Sequence, residues 1–104
     1  MSHPLVVRKS QPHDVYVGRP SEWGNPFIVG VHGTHGECCD FHRKWIDGLI
    51  PGPNGEKPPS KQRIKRLLRG QRLGCFCAPR RCHGDYLAYV ANEPAGIFDA
   101  LDPI

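Results

Sequence analysis

Short apolar runs alternate along this chain with longer polar, turn-rich stretches. Leu5-Val6-Val7 is one such run and predicts a short strand. Asp14-Val15-Tyr16-Val17-Gly18 combines β-branched and aromatic residues and closes on glycine, which predicts a second strand. Phe27 to Gly30 is a further apolar run, read as a strand or an extended segment. Between them "RPSEWGNP", residues 19–26, carries two prolines and a glycine and reads as loop.

A helical period takes over after Gly33. Thr34 and Glu37 have the spacing of a capping box. Cys38, Phe41, Trp45, Ile46 and Leu49 follow as one apolar stripe, predicting a helix over 35–49 with Asp40, Arg43, Lys44 and Asp47 largely off it. "PGPNGEKPP", 51–59, is a flexible connection inside one domain. Ser60 is placed to cap a second helix. That helix turns Ile64, Leu67 and Leu68 inward, and Lys61, Arg63, Lys65, Arg66 and Arg69 mostly outward, with Gly70 as its stop. Leu73 to Cys77 predicts a buried strand ended by Pro79. A third helix starts near Cys82, buries Leu87, Val90 and Ala91, and stops before Pro94. Residues 94–104 have no period and read as an irregular tail.

Strands that alternate with helices predict an α/β fold. The expectation is one small domain over residues 1–104, with a short, mostly parallel sheet and about three helices. Ligands of such sheets sit beyond the carboxyl ends of the strands. Two loops qualify: the one after the 14–18 strand, and "APRRCHGD" after the 73–77 strand.

Composition narrows this picture. A chain of 104 residues holds one modest core, and 12 Gly with 11 Pro give loops a large share of it. No apolar run approaches the roughly 20 residues of a membrane span, and the N-terminus lacks a signal-peptide apolar region, so a cytoplasmic protein with no membrane partner is expected. In that compartment the five cysteines stay free or bind metal, and a disulfide framework is not expected. Formal net charge is +4, unevenly spread. From Lys57 to Gly84 there are nine Lys or Arg and no Asp or Glu. That segment suggests a phosphate-bearing partner, a small molecule or a nucleic acid; a solvated helix face is the plainer alternative.

The basic segment ends in "GCFCAPRRCHGD", 74–85, where the chemistry concentrates. Cys75, Cys77, Cys82 and His83 are four zinc-type ligands, though C-x-C-x₄-C-H is not the usual knuckle spacing. His35, Cys38, Cys39 and His42 are further potential ligands, with Cys38 assigned to the core. Alternatively, Cys82 at a helix N-terminus beside Arg80 and Arg81 is a candidate nucleophile with a favoured thiolate, and His83 a proton relay or phosphate ligand. The same turn can also bind an anion without chemistry. In the plainest reading Cys75 and Cys77 are small buried strand residues and His83 a cap. The other loop offers Arg19 to grip phosphate, and Trp23 and Asn25 to hold a base or sugar. Packing of the loop around Trp23 is the alternative.

"VYVGRPSEWGNPF" at 15–27 and "LGCFCAPRRCHGDYLAYVAN" at 73–92 together resemble the family known as domain of unknown function 4326, found in phages and bacteria. The matching positions are Gly18, Arg19, Ser21, Trp23, Gly24, Asn25, Pro26 and Phe27, then Cys75, Cys77, Pro79, Cys82, His83, Gly84 and Asp85. The second stretch also resembles the C-H-R turn of domain of unknown function 488, with Gly84 in place of the arginine. The resemblance implies a fold and a site at these residues, and the host cytoplasm if the chain is phage-encoded. It implies no reaction, so whether the protein is an enzyme stays open.

Three expectations result. The first is a domain that binds or acts on a nucleotide or other phosphate-bearing ligand. It would use Arg19, Ser21, Trp23, Asn25, Arg80, Arg81 and Asp85 for binding, and Cys82 and His83 for chemistry. The second is a non-enzymatic domain stabilised by zinc on Cys75, Cys77, Cys82 and His83, which contacts nucleic acid or a host protein through residues 57–81. The third is a small phage accessory protein acting on a host factor by surface contact.

Overall fold

A computed structural model describes residues 3–78 and 80–93 of the chain. It has three strands, β1 (Val6–Arg8), β2 (Val15–Tyr16) and β3 (Leu73–Cys75), and three helices, α1 (His35–Ile46), α2 (Lys61–Leu68) and α3 (His83–Ala91). The sheet order is β1-β3-β2, and both pairings are parallel. Leu73 pairs with Val6 on one side and Val15 on the other, so the last strand in sequence is the central one. The expected small α/β domain with a parallel sheet and three helices is the architecture found.

Parallel neighbours need a crossover. The long one runs from β2 through α1 and α2 into β3. The short one, from β1 to β2, passes beside the central strand at Gly74. A Cβ there would meet the His13 ring at 2.6 Å, so only glycine leaves room for this connection. Leu73, Ile64, Leu68 and Leu87 are fully buried and anchor the core between sheet and helices. Burying a side chain of this size stabilises the fold by roughly 1.5–3 kcal/mol.

The helix signals mostly hold. Thr34 caps α1 in a capping box with Glu37, and the Ser60 hydroxyl accepts the Arg63 N–H at 3.1 Å at the start of α2. Gly70, at φ +73°, ends the second helical segment as expected. α1 stops at Ile46, short of the predicted 49, because Gly48 at φ +77° takes the left-handed conformation that closes a helix. Leu49 therefore leaves the stripe and is 71% exposed. Leu67, expected inward, is also exposed, while Ile64 and Leu68 carry the buried face of α2. The 73–77 strand ends at Cys75, and Phe27–Gly30 forms no strand of the sheet, only an isolated bridge between Val29 and Gly33. Residues 94–104, read as an irregular tail, lie outside the described residues. No helix among the described residues is long and apolar enough to cross a membrane.

Candidate functional site

β1, β2 and β3 run in parallel, so the segments after β2 and after β3 leave the same edge of the sheet. They enclose a cleft of about 100 Å³ lined by Gly18, Arg19 and Asn25 from the first, Phe76, Cys77 and His83 from the second, and His35 and Cys39 from α1. The two loops singled out in the sequence thus face each other across one cavity. Its volume is far below the roughly 300–1,000 Å³ of pockets that hold drug-sized ligands.

The first loop is built to hold Arg19. Tyr16 reaches over Gly18 to donate its hydroxyl to the Arg19 carbonyl at 3.0 Å. A Cβ on Gly18 would lie 2.3 Å from that hydroxyl oxygen, so glycine is required beneath it. Gly24 packs on the Arg19 stem, where a Cβ would stand 2.9 Å from Cγ. The Arg19–Pro20 peptide is cis. Ser21 donates its hydroxyl to the Gly18 carbonyl at 2.5 Å, and the Asn25 side-chain amide donates to the Cys38 carbonyl at 3.0 Å, fastening the loop to α1. Ser21 and Asn25 therefore shape the loop. Trp23 is only 5% exposed and belongs to the core cluster. The expectation of a stacking face for a base is corrected to the alternative, a loop packed around its tryptophan. Among the described residues no carboxylate pairs with Arg19.

The second loop differs from expectation in its cysteines. The structure joins Cys75 and Cys82 as a disulfide, where free or metal-bound thiols were expected. The end of β3 and the start of α3 aim both sulfurs at one buried point, and burial of both residues is nearly complete. Cys82, so bonded, is not the exposed thiolate expected beside two arginines. It is the N-cap of α3: its sulfur accepts the Gly84 N–H at 3.4 Å, and Asp85 answers by accepting the Cys82 N–H at 2.9 Å. Asp85 also accepts the His3 N–H at 3.0 Å, so this carboxylate ties the N-terminus to α3.

Arg81 turns away from the cleft to pair with Asp40 of α1 at 2.5 Å, and the carboxyl of Asp40 is held below its ordinary range by that hydrogen bond. The Arg81 carbonyl takes a hydrogen bond from His35 Nε2 and a weaker one from the Cys39 thiol. Arg80 is exposed. His83 donates from Nε2 to the Val17 carbonyl at 2.7 Å while Nδ1 faces the Cys82 sulfur at 3.6 Å. Burial pushes its pKa down, against the pull of the Val17 carbonyl, so the ring is neutral and ties β2's end to α3. A cationic phosphate grip by His83 does not fit that state.

The sulfurs of Cys75, Cys77 and Cys82 all lie within 4.8 Å of one another, and among the described residues they are the group placed to share a metal ion. His83, the expected fourth ligand, is not part of that group. Cys77 is half-buried, and burial raises its thiol pKa while Arg80 and Arg19 draw it down. Cys39, across the cleft on α1, is pushed up to about 11, chiefly by burial.

Comparison with known proteins now decides the relationship. The family model described as domain of unknown function (DUF4326) matches residues 6–93. The chain belongs to that family. A relative, the "uncharacterized 12.4 kDa protein in nrdA-td intergenic region" of Enterobacteria phage T4, is 35% identical over 95 residues, covering 86% of this chain and 77% of its own length. No solved structure matches. The DUF4326 match spans both loops of the cleft and all three clustered cysteines.

His35, Cys39 and His42 stand at i, i+4 and i+7, one face of a helix. That spacing was visible and places His35 and Cys39 on the cleft. His42 is wholly buried, neither ring nitrogen has a hydrogen-bond partner among the described residues, and its ring lies 5.1 Å from that of His83.

Proposed function

We propose that this domain binds a small phosphate-bearing ligand in the cleft between the 18–27 and 76–83 loops, with Arg19 as its anion-gripping residue. The observation that carries this is the convergence of both loops on one cavity at the carboxyl edge of a parallel sheet, the usual ligand position in such folds. Arg19 is held there by Tyr16 and Gly24 and has no carboxylate partner among the described residues, and a guanidinium is suited to bidentate contact with phosphate. The small volume admits a phosphate group, with the rest of a nucleotide left outside. Cys77 and Cys39 face the cavity as neutral thiols at pH 7. Calorimetric titration with inorganic phosphate and with nucleoside monophosphates tests the proposal. Binding that weakens about tenfold in Arg19→Ala supports it, and binding indifferent to Arg19 contradicts it.

The clustered sulfurs favour a second reading, a domain stabilised by zinc on Cys75, Cys77 and Cys82. One equivalent of zinc per reduced chain, with loss of thermal stability on chelation, supports it. A metal-free chain that is folded and indifferent to chelator contradicts it. The companion idea, contact with nucleic acid or a host protein through residues 57–81, has less support. Lys61 pairs with Asp47, Arg63 with Glu22, Arg72 with Asp14 and Arg81 with Asp40.

A further inference from the structure

The sulfurs of Cys75, Cys77 and Cys82 lie within 4.8 Å of one another, two of them joined as a disulfide, and once that bond is reduced all three are free to move to the corners of one metal site. In a tetrahedral zinc–thiolate centre, with Zn–S near 2.3 Å, sulfurs stand roughly 3.8 Å apart. Two of the three already accept backbone N–H groups, Cys75 from Cys77 at 3.3 Å and Cys82 from Gly84 at 3.4 Å. The Cα atoms of Cys75 and Cys82 are 7.5 Å apart, wider than the roughly 4.4–6.8 Å usual for a disulfide, and a separation that an ion between two thiolates spans readily.

The fourth corner is the informative one. His83 is its expected occupant, but its Nε2 is engaged by Val17, and its Nδ1, though 3.6 Å from the Cys82 sulfur, is not grouped with all three sulfurs. Zinc sites with three protein ligands keep an open position for water or substrate, whereas structural sites are closed by four. Cys77 is the one of the three sulfur residues that lines the cleft, and it does so together with Arg19.

We infer that the reduced chain holds one divalent, zinc-like ion on Cys75, Cys77 and Cys82, with its fourth coordination position open to the cleft, where an anionic oxygen of the ligand completes the sphere beside Arg19. This rests on the cleft as the ligand site. A thiol reductant first opens the Cys75–Cys82 bond, supplying two electrons and two protons and leaving as its own disulfide. Loading then exchanges three thiol protons for one divalent cation, which leaves one net negative charge on the centre; the Arg19 guanidinium beside it cancels that charge, so an anionic oxygen meets no net opposing charge. With Arg19 beside it, the open position takes an anionic oxygen donor, of which phosphate is the simplest.

Cobalt(II) tests this on the full chain, reduced and kept anaerobic. One equivalent should bind, with sulfur-to-cobalt charge-transfer absorption that falls by about a third in Cys77→Ser and is unchanged in His83→Gln. Inorganic phosphate should then shift the visible bands of the bound cobalt. Cys77→Ser alters the half-buried member of the group, and circular dichroism shows whether each variant is folded. No stoichiometric uptake, an unchanged charge-transfer intensity in folded Cys77→Ser, or visible bands indifferent to saturating phosphate would each overturn the inference. Calorimetry of phosphate on the metal-free chain separates the two claims: binding there with no response at cobalt leaves the cleft standing and removes the metal from it.

Discussion

The basic helix and the cysteine loop adjoin in sequence, and both stand out in it, but the fold treats them oppositely. On and around α2 three of the cations are matched by carboxylates from other parts of the chain, Lys61 by Asp47, Arg63 by Glu22 and Arg72 by Asp14, and Arg69 donates to the Glu93 carbonyl. In the loop after β3 the polar and sulfur groups converge on each other and on a cavity, and across that cavity Arg19 has no acidic partner among the described residues. A run of like charge in a sequence says little until its counter-charges are located. A cluster of ligand-type side chains at a strand end keeps its meaning, because the fold holds the strand end in a fixed place.

The largest effect expected from breaking this contrast is in the loop. Cys82→Ala removes a buried sulfur that crosslinks to Cys75 and caps α3, and should cost about 3 kcal/mol in urea unfolding. A loss under about 1 kcal/mol would mean that the loop contributes little to the fold. Next comes acid sensitivity. Burial holds His42 well below its ordinary pKa, aided by His83, and His83 is lowered in the same direction. The unfolded chain takes up these protons near pH 6.5, so it binds more protons than the folded chain below that pH. Stability is full above about pH 6.5 and is lost as the pH falls through and below it. His42→Leu should remove about half of that slope and be neutral or stabilising at pH 7.5, since it replaces two unpartnered ring nitrogens by carbon. Stability independent of pH between 7.5 and 5 would contradict the neutral, buried pair.

The smallest effect belongs to the basic helix. Arg63 and Glu22 are both about half exposed, and Arg63→Ala should cost no more than about 0.5 kcal/mol. It should leave phosphate binding unchanged. A tenfold loss of ligand affinity in that variant, or tight, steeply salt-dependent nucleic-acid binding that it abolishes, would move the functional surface to α2.

Much of the frame was legible. Thr34, Ser60 and Gly70 marked helix ends through their local chemistry, and local chemistry survives folding. The two loops could be assigned to one sheet edge because parallel strands impose it. The burial of Trp23 could not be read, since an aromatic in a Pro-Gly loop serves equally as ligand platform or local core. Nor could the ion pairs: Arg63 and Glu22 are 41 residues apart, Arg72 and Asp14 58. Cys77 misled in a different way. Its grouping with Cys75 and Cys82 was legible in the C-x-C-x₄-C run, but its place on a continuing strand was not right: β3 ends at Cys75, and a bend beyond it brings the Cys77 sulfur to the group.

The central claim, that the ligand chemistry sits in the cleft and not on the basic helix, is tested most directly by following amide resonances while inorganic phosphate is added. The account predicts saturable shifts concentrated at Gly18, Arg19, Asn25, Cys77 and His83, with those of Lys61 to Leu68 nearly still. Shifts centred on α2, with the cleft residues unmoved, would contradict it.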